Sequence, residues 1–434
     1  MKKKTPAGTV ALRDDARYLM NTYKRPPVVF THGKGCYLYD HLGRKYLDFL
    51  GGIAVNALGH AHPRLVRVVR REASRAVHVS NLFHNPYQGP LARKLAQWSG
   101  MDRVFFTNSG TEAVEGALKL ARLYARQKTG GDAPADSAKT RILALENSFH
   151  GRTFGALAIT APAKYREPFA PLVPGVEFLR FNDVADLEAK FDSTVCAIVL
   201  ETIQGEGGIY AVSEAFWQRA RELATQLDAA FIADEIQCGL GRTGRAFAYQ
   251  RFAGLPDIVV VAKPLAGGLP LGAVLAREPF AAAFSPGLHG STFGGGPLVC
   301  AVALEFLITV EEQDLLANIC ARGAELRAGL TRLAGKFDFI RELRGEGLML
   351  GLELTVEGAP YVAEALRRGL IINCTHDYTL RFLPPFIITA RQVSEFLARF
   401  EVVLAKTRRP KAAPAAETSE AARKARPFAL LATR

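Results

Sequence analysis

In the stretch IADEIQCGLGRTG, residues 232–244, an apolar run stops on two consecutive carboxylates, Asp234 and Glu235, and passes at once into a glycine-rich turn. Residues 257–262, DIVVVA, end in the same manner on Lys263, followed by PLAGGLPLG. A strand leaving a core often ends on a charge simply because its last residue reaches water. An acid and a lysine at the ends of neighbouring strands would instead face each other across the crevice where open α/β sheets bind ligands. Glycines beside both let backbone approach a bound group closely.

Two further stretches could complete a site. In FFTNSGTEAVEGALKLAR, residues 105–122, a strand ends, Asn108, Ser109 and Gly110 turn, and a helix begins with Val114, Ala117, Leu118 and Ala121 at helical spacing. Its free N–H groups and dipole, flanked by the hydroxyls of Ser109 and Thr111, suit a phosphate. Ser-Gly-Thr is also an ordinary N-cap. In ENSFHGRTFGALAIT, residues 146–160, Phe149 could stack on a flat ring while Arg152 binds a carboxylate, or the two could be a core aromatic and a surface charge.

A flat ring with a phosphate arm, an aldehyde for a lysine and a ring nitrogen for an acid describes pyridoxal 5'-phosphate. Its use as an electron sink needs a protonated pyridine nitrogen, which a carboxylate such as Asp234 keeps charged. Side chains at i and i+2 share a strand face, so Ile236 can pack under the same ring, and Gln237, past the strand end, can reach its phenolic oxygen.

These residues need a sheet to position them. The apolar runs at 103–107, 141–146, 195–201, 229–235, 257–262 and 272–276 predict strands that alternate with amphipathic helices. Continuous apolar strands indicate a mostly parallel sheet between helices, hence the α/β class. After residue 299 the text becomes a long helix, a strand-like GLMLGLEL and a closing helix whose Thr389 and Gln392 have capping-box spacing, a smaller α+β unit. The expected division is an N-terminal segment, 1–59, packing with the small domain; a large domain, 60–299; a small domain, 300–405; and a disordered basic tail, 406–434.

The 434 residues are 49% apolar and 22% charged. No apolar run reaches the roughly 20 residues that span a bilayer. The opening MKKKTPAGTV lacks the apolar core of a secretory signal, so a cytoplasmic location is expected. The six cysteines are scattered and read as reduced thiols, and no metal is expected, His60 and His62 lacking a third ligand nearby. The net charge is +13, but eight Lys/Arg against two Glu from Lys406 onward, with Lys2, Lys3 and Lys4, carry +9 of it. A solvated appendage explains such a tail without nucleic acid or membrane.

The motifs NSGTEAVEGALKLAR, SFHGRTFGALAIT, ETIQGEGG, ADEIQCGLGRTG, AKPLAGGLPLGA and STFGGGPL, in this order, resemble the class III, ornithine-type aminotransferases of the fold type I pyridoxal-phosphate enzymes. The resemblance runs from about residue 20 to about 405, and GGIAVNALGHAHP with HVSNLFHNPYQGPLARKL is most similar to the acetylornithine aminotransferases of arginine biosynthesis. KPLAGG departs from the wording KGLGGG of many members, but keeps the lysine and the glycines. The resemblance implies that Lys263 bonds the cofactor aldehyde, Asp234 partners the ring nitrogen, Phe149 stacks, Gly110 and Thr111 cup the phosphate and Gln237 contacts the ring oxygen. It implies that Thr292 reaches the phosphate of a neighbouring subunit, making a homodimer the competent unit, and that Arg152 and Ser291 bind the acylated amino acid. Glu201 and Arg381 would pair, and so handle two differently shaped substrates, acetylornithine and 2-oxoglutarate. Ornithine, succinylornithine, 4-aminobutyrate and lysine-pathway amines are the rival substrates within the class, and an aminomutase on the same fold is the rival reaction. A cofactor-free binding protein is the rival outside it, against which Asp234 and Lys263 both stand.

Overall fold

The computed structural model describes residues 7–129 and 139–407; Lys2 to Lys4 and residues 408–434 of the tail expected to be disordered from 406 lie outside the described residues, while Lys406, expected in that tail, ends the closing helix. A seven-stranded sheet forms the centre: β1 (Arg103–Thr107), β2 (Arg141–Leu145), β3 (Val176–Leu179), β4 (Val195–Glu201), β5 (Ala230–Asp234), β6 (Ile258–Val261) and β7 (Gly272–Ala276), in the order β1-β7-β6-β5-β4-β2-β3. Neighbours are parallel except β7, which runs antiparallel to both β6 and β1. Edge strand β3, VEFL, has no apolar run and was not expected from the sequence.

The central strands are uniformly apolar because helices cover both faces. On one side, α1 (Gly110–Lys128) sets Val114, Ala117 and Ala121 against Ala230, Ile232 and Val260. On the other, α2 (Glu214–Gln226) sets Phe216 and Trp217 against Phe231, Ala233 and Val259. Alternation along β5 thus sends consecutive residues into different clusters. Fully burying each large apolar side chain contributes about 1.5–3 kcal/mol before entropy is counted.

A second, antiparallel sheet contains Ile340–Glu346, Met349–Leu354, Thr379–Phe382 and Asn373–Thr375. The closing helix, Ala390–Lys406, begins with the capping box of Thr389 and Gln392, worth about 1 kcal/mol. A third sheet joins Phe30–Lys34, Tyr37–Asp40 and Lys45–Asp48 to the parallel strand Leu370–Ile371. Among the described residues, no helix is long and apolar enough to cross a membrane.

Candidate active site

Parallel β4 and β5 end together, with Glu201 the register partner of Asp234. At the start of α1, Ser109 is extended and its hydroxyl accepts from the Glu112 N–H at 3.3 Å. That leaves the first-turn N–H groups of Gly110 and Thr111 without intrahelical partners. A Cβ on Gly110 would meet Ile236 Cδ1 at 2.8 Å, so glycine lets Ile236 sit close under the helix start. The Thr111 hydroxyl lies 2.8 Å from that of Thr153 and accepts from the Arg152 and Thr153 N–H groups at 3.3 Å. Glu115 accepts from Thr153 Oγ1 and from the Gly155 and Ala156 N–H groups, bolting this loop to α1.

Asp234 is buried, and each of its oxygens has one protein partner. Oδ1 accepts from the Ile236 N–H at 3.0 Å, and Oδ2 lies 2.7 Å from His150 Nδ1. Burial pushes the His150 imidazole down, but hydrogen bonding and charge from Asp234, helped by Glu201, outweigh it and leave its pKa raised. Phe149, the preceding residue, is half-buried and donates its N–H to Glu201 Oε2 at 3.1 Å.

Lys263 follows β6 with φ +31°, a left-handed value costing a residue with a Cβ on the order of 1–3 kcal/mol. Burial lowers its ammonium pKa; the charges of Glu206, Asp234 and Glu201 oppose this, and Arg381 adds to it. A lysine so held has more of the neutral amine that attacks an aldehyde.

The expected pair of Glu201 and Arg381 is not formed. Fully buried Arg381 instead directs Nη1 at Glu206 Oε1 (2.7 Å), Gln237 Oε1 (2.9 Å) and the Gly205 carbonyl (2.9 Å), while Nε reaches Asn373 Oδ1 (3.2 Å). Its Nη2 is buried without a partner. Glu201 ends β4 inside the core, where it accepts from the N–H groups of Phe149 and Gly205, and burial pushes its pKa up to about 7. Glu206 lies beyond, in the turn, about a third exposed. Burial raises its pKa, but the charge and hydrogen bond of Arg381 hold it below the ordinary carboxylate value. Gln237, expected at a ring oxygen, has its carbonyl engaged by Arg381 and also hydrogen-bonds Glu206.

The remaining expected residues lie around the start of α1. Arg152 is exposed and stacks on Tyr165, its guanidinium carbon 3.8 Å from the ring centroid and 5.4 Å from that of Phe149. Ser291 Oγ accepts from the Gly294 N–H at 3.0 Å and from Asn108 Nδ2 at 3.2 Å. Thr292 is exposed and, with Ser80, Asn81 and Leu82, lines an open cleft of about 680 Å³. Sequence reasoning assigned no role to His150, Glu206 or Glu115, although they stand inside the motifs SFHGRTFGALAIT, ETIQGEGG and NSGTEAVEGALKLAR.

The residues fit pyridoxal 5'-phosphate. The helix start presents free N–H groups to an anion, Gly110 keeps Ile236 close beneath it, Asp234 retains lone pairs for a ring N–H, and Lys263 is depressed toward the amine. A family model described as aminotransferase class III matches residues 18–404. The chain is 44% identical to the acetylornithine aminotransferase of Caldanaerobacter subterraneus subsp. tengcongensis over 91% of this chain and 99% of that one. It is 45% identical to that of Aquifex aeolicus over 89% and 100%. Among solved structures, the ornithine aminotransferase of Toxoplasma gondii superposes with a TM-score of 0.87 at 35% identity, covering 93% of this chain and 96% of that one. The acetylornithine aminotransferase of Elizabethkingia anophelis gives 0.81 at 32%, covering 93% and 100%.

Proposed function

From the premise that this chain belongs to the class III aminotransferases, fold type I enzymes that use pyridoxal 5'-phosphate, we propose that it moves the terminal amino group of N2-acetyl-L-ornithine to 2-oxoglutarate, giving N-acetylglutamate 5-semialdehyde and glutamate. The observation that carries this reading is Arg381, a buried guanidinium with a free Nη2 and a carboxylate partner, Glu206, in a partly exposed turn. Acetylornithine brings an amine whose carboxylate is several bonds away, so a bare arginine would mis-orient it. Glutamate brings a carboxylate on the adjacent carbon, which can displace Glu206. Charge-assisted hydrogen bonds net about 1.5–3 kcal/mol, enough to tilt preference about tenfold or more.

Bound pyridoxal 5'-phosphate supplies an aldehyde for the amine and an electron sink for the pair released at the neighbouring carbon. Asp234 would hold a proton on the ring nitrogen. Lys263 would hold the aldehyde through its Nζ and, as the free amine, would carry a proton to and from the substrate carbon. Ser109, Gly110 and Thr111 would hold the phosphate and Phe149 and Ile236 would enclose the ring, with Gln237, bonded to Arg381 and Glu206, on its oxygen side. Arg152 and Ser291 take the acylated end, for which Arg152 leaves Tyr165. Glu201 holds the N–H groups of Phe149 and Gly205 rather than the guanidinium of Arg381.

We also infer that two copies pair through the Thr292 cleft, each lending Thr292 to the other's phosphate. Leu82, Phe83 and Phe293 support this, being 88%, 69% and 65% exposed on one chain. Sedimentation should give a dimer; a fully active monomer removes the idea. Turnover of an amine panel against 2-oxoglutarate tests the substrate. Acetylornithine should exceed ornithine and 4-aminobutyrate at least tenfold in kcat/KM, and another amine in first place would replace it.

A further inference from the structure

We propose that His150 is a positioning residue for this reaction, fixing the orientation and the negative charge of Asp234 from within the core. The inference rests on the reading that Asp234 serves the cofactor's ring nitrogen. A carboxylate has about four lone-pair positions. Ile236 N–H takes one on Oδ1 and His150 Nδ1 one on Oδ2, which sets the carboxylate plane and leaves capacity for one further donor. The main chain that carries His150 is held in place. Its own N–H donates to Thr160 Oγ1 at 3.0 Å, and that hydroxyl is tied to the Ala156 carbonyl at 3.0 Å. Its ring is buried, and Nε2 has no partner.

The groups facing the imidazole are Asp234, from β5, and Glu201, from β4; both are buried acids on neighbouring strands. Two buried carboxylates side by side, with nothing positive between them, favour proton uptake by one. A protonated Asp234 could not hold the proton of a pyridinium. The imidazole, hydrogen-bonded to Asp234 and charge-coupled to both acids, keeps Asp234 the ionised member. The structural alternative is that His150 merely fills space in a core.

Two substitutions separate these roles. His150→Phe keeps a buried ring and removes the hydrogen bond; His150→Asn keeps a donor for Asp234 and removes the ability to carry charge. Apo-protein from each, and from Asp234→Asn, is titrated with pyridoxal 5'-phosphate by fluorescence quenching, and the pH dependence of the holoenzyme absorption band is recorded alongside kcat. His150→Phe should bind the cofactor at least tenfold more weakly, shift the absorption profile along the pH axis, and lower kcat about 100-fold with KM within threefold. His150→Asn should recover most of the affinity. Cofactor affinity within twofold and an unmoved profile in His150→Phe, while Asp234→Asn loses both, would overturn the role of His150 and leave that of Asp234 standing. If Asp234→Asn also changes neither, the reading of Asp234 falls and takes the inference with it. Should His150→Phe not fold, imidazole 15N shifts in the wild-type holoenzyme decide: a ring titrating like free histidine overturns the proposal, and one that stays protonated at Nδ1 from pH 6 to 9 upholds it.

Discussion

Asp234 and Glu235 are consecutive, acidic and buried, yet they serve opposite sides of the sheet. Asp234 keeps the α1 side, with one donor on each oxygen. Glu235 turns the other way, where Thr202 Oγ1 (2.6 Å), the Ala248 N–H (2.7 Å) and the Tyr249 N–H (3.0 Å) fill its carboxylate with protein donors. Arg381 and Arg242 repeat the contrast. Both are fully buried and both leave a nitrogen without a partner, Nη2 on Arg381 and Nε with Nη2 on Arg242, but Arg242 spends Nη1 on the Leu348 and Pro384 carbonyls, lies over Phe386 and is pushed down to about 9 by burial, with no carboxylate bonded to it among the described residues. A buried charge therefore does not mark chemistry. What sets Asp234 and Arg381 apart is a carboxylate with lone pairs left beside a strand-end lysine, and a guanidinium whose acidic partner is partly exposed and able to leave.

The largest break between the two acids should come from neutralising each. Asp234→Asn should lower kcat at least ~1,000-fold, about 4 kcal/mol of barrier, with the circular dichroism spectrum unchanged; activity within tenfold of wild type would equate it with its neighbour. Glu235→Ala leaves three donors without their acceptor, and at about 1–3 kcal/mol for each unsatisfied group should destabilise by several kcal/mol in urea unfolding. Its kcat in the folded fraction should stay within about threefold.

What could be read beforehand follows from where the information lies. Central strands were legible because both faces are covered and the runs are continuously apolar. Edge strand β3 was not, because Glu177 and a half-buried environment give it no such run. The reversed direction of β7 leaves no mark in its composition. Asp234 and Lys263 stood out as strand-end charges, whereas the pairing of Glu201 with Arg381 came only from the family resemblance. The turn Gly205–Glu206 carries the arginine's partner further along, a matter of three-dimensional reach that spacing does not encode. His150 depends on a contact between residues 84 positions apart.

A smaller effect sharpens the arginine contrast. Glu206→Ala should raise the glutamate half reaction relative to the acetylornithine one by about tenfold, roughly 1.4 kcal/mol, and Arg381→Ala should depress the glutamate half reaction; rapid-mixing spectra with each donor alone measure both. Glu201→Ala should shift the two by similar factors. Smallest is a pH effect. Burial raises the Glu235 pKa from 4.5 to about 7, so between these values the folded chain holds a proton that the unfolded chain releases. Stability from this group is present below about pH 4.5 and is lost as pH rises through 7. Glu201 contributes with the same sign, so Glu235→Gln should lessen, not abolish, the fall in urea midpoint from pH 5 to 7.5. An unchanged slope would mean that Glu235 does not titrate there.

The central claim is that the crevice at the ends of β5 and β6 holds the cofactor against Lys263. Borohydride reduction of the holoenzyme, followed by proteolysis and mass mapping, reads the attachment point directly. The account predicts a pyridoxyl-phosphate mass increment on the peptide containing Lys263, and none there in Lys263→Ala, which should still bind cofactor without turning over. The increment on any other lysine of the wild-type chain would contradict it.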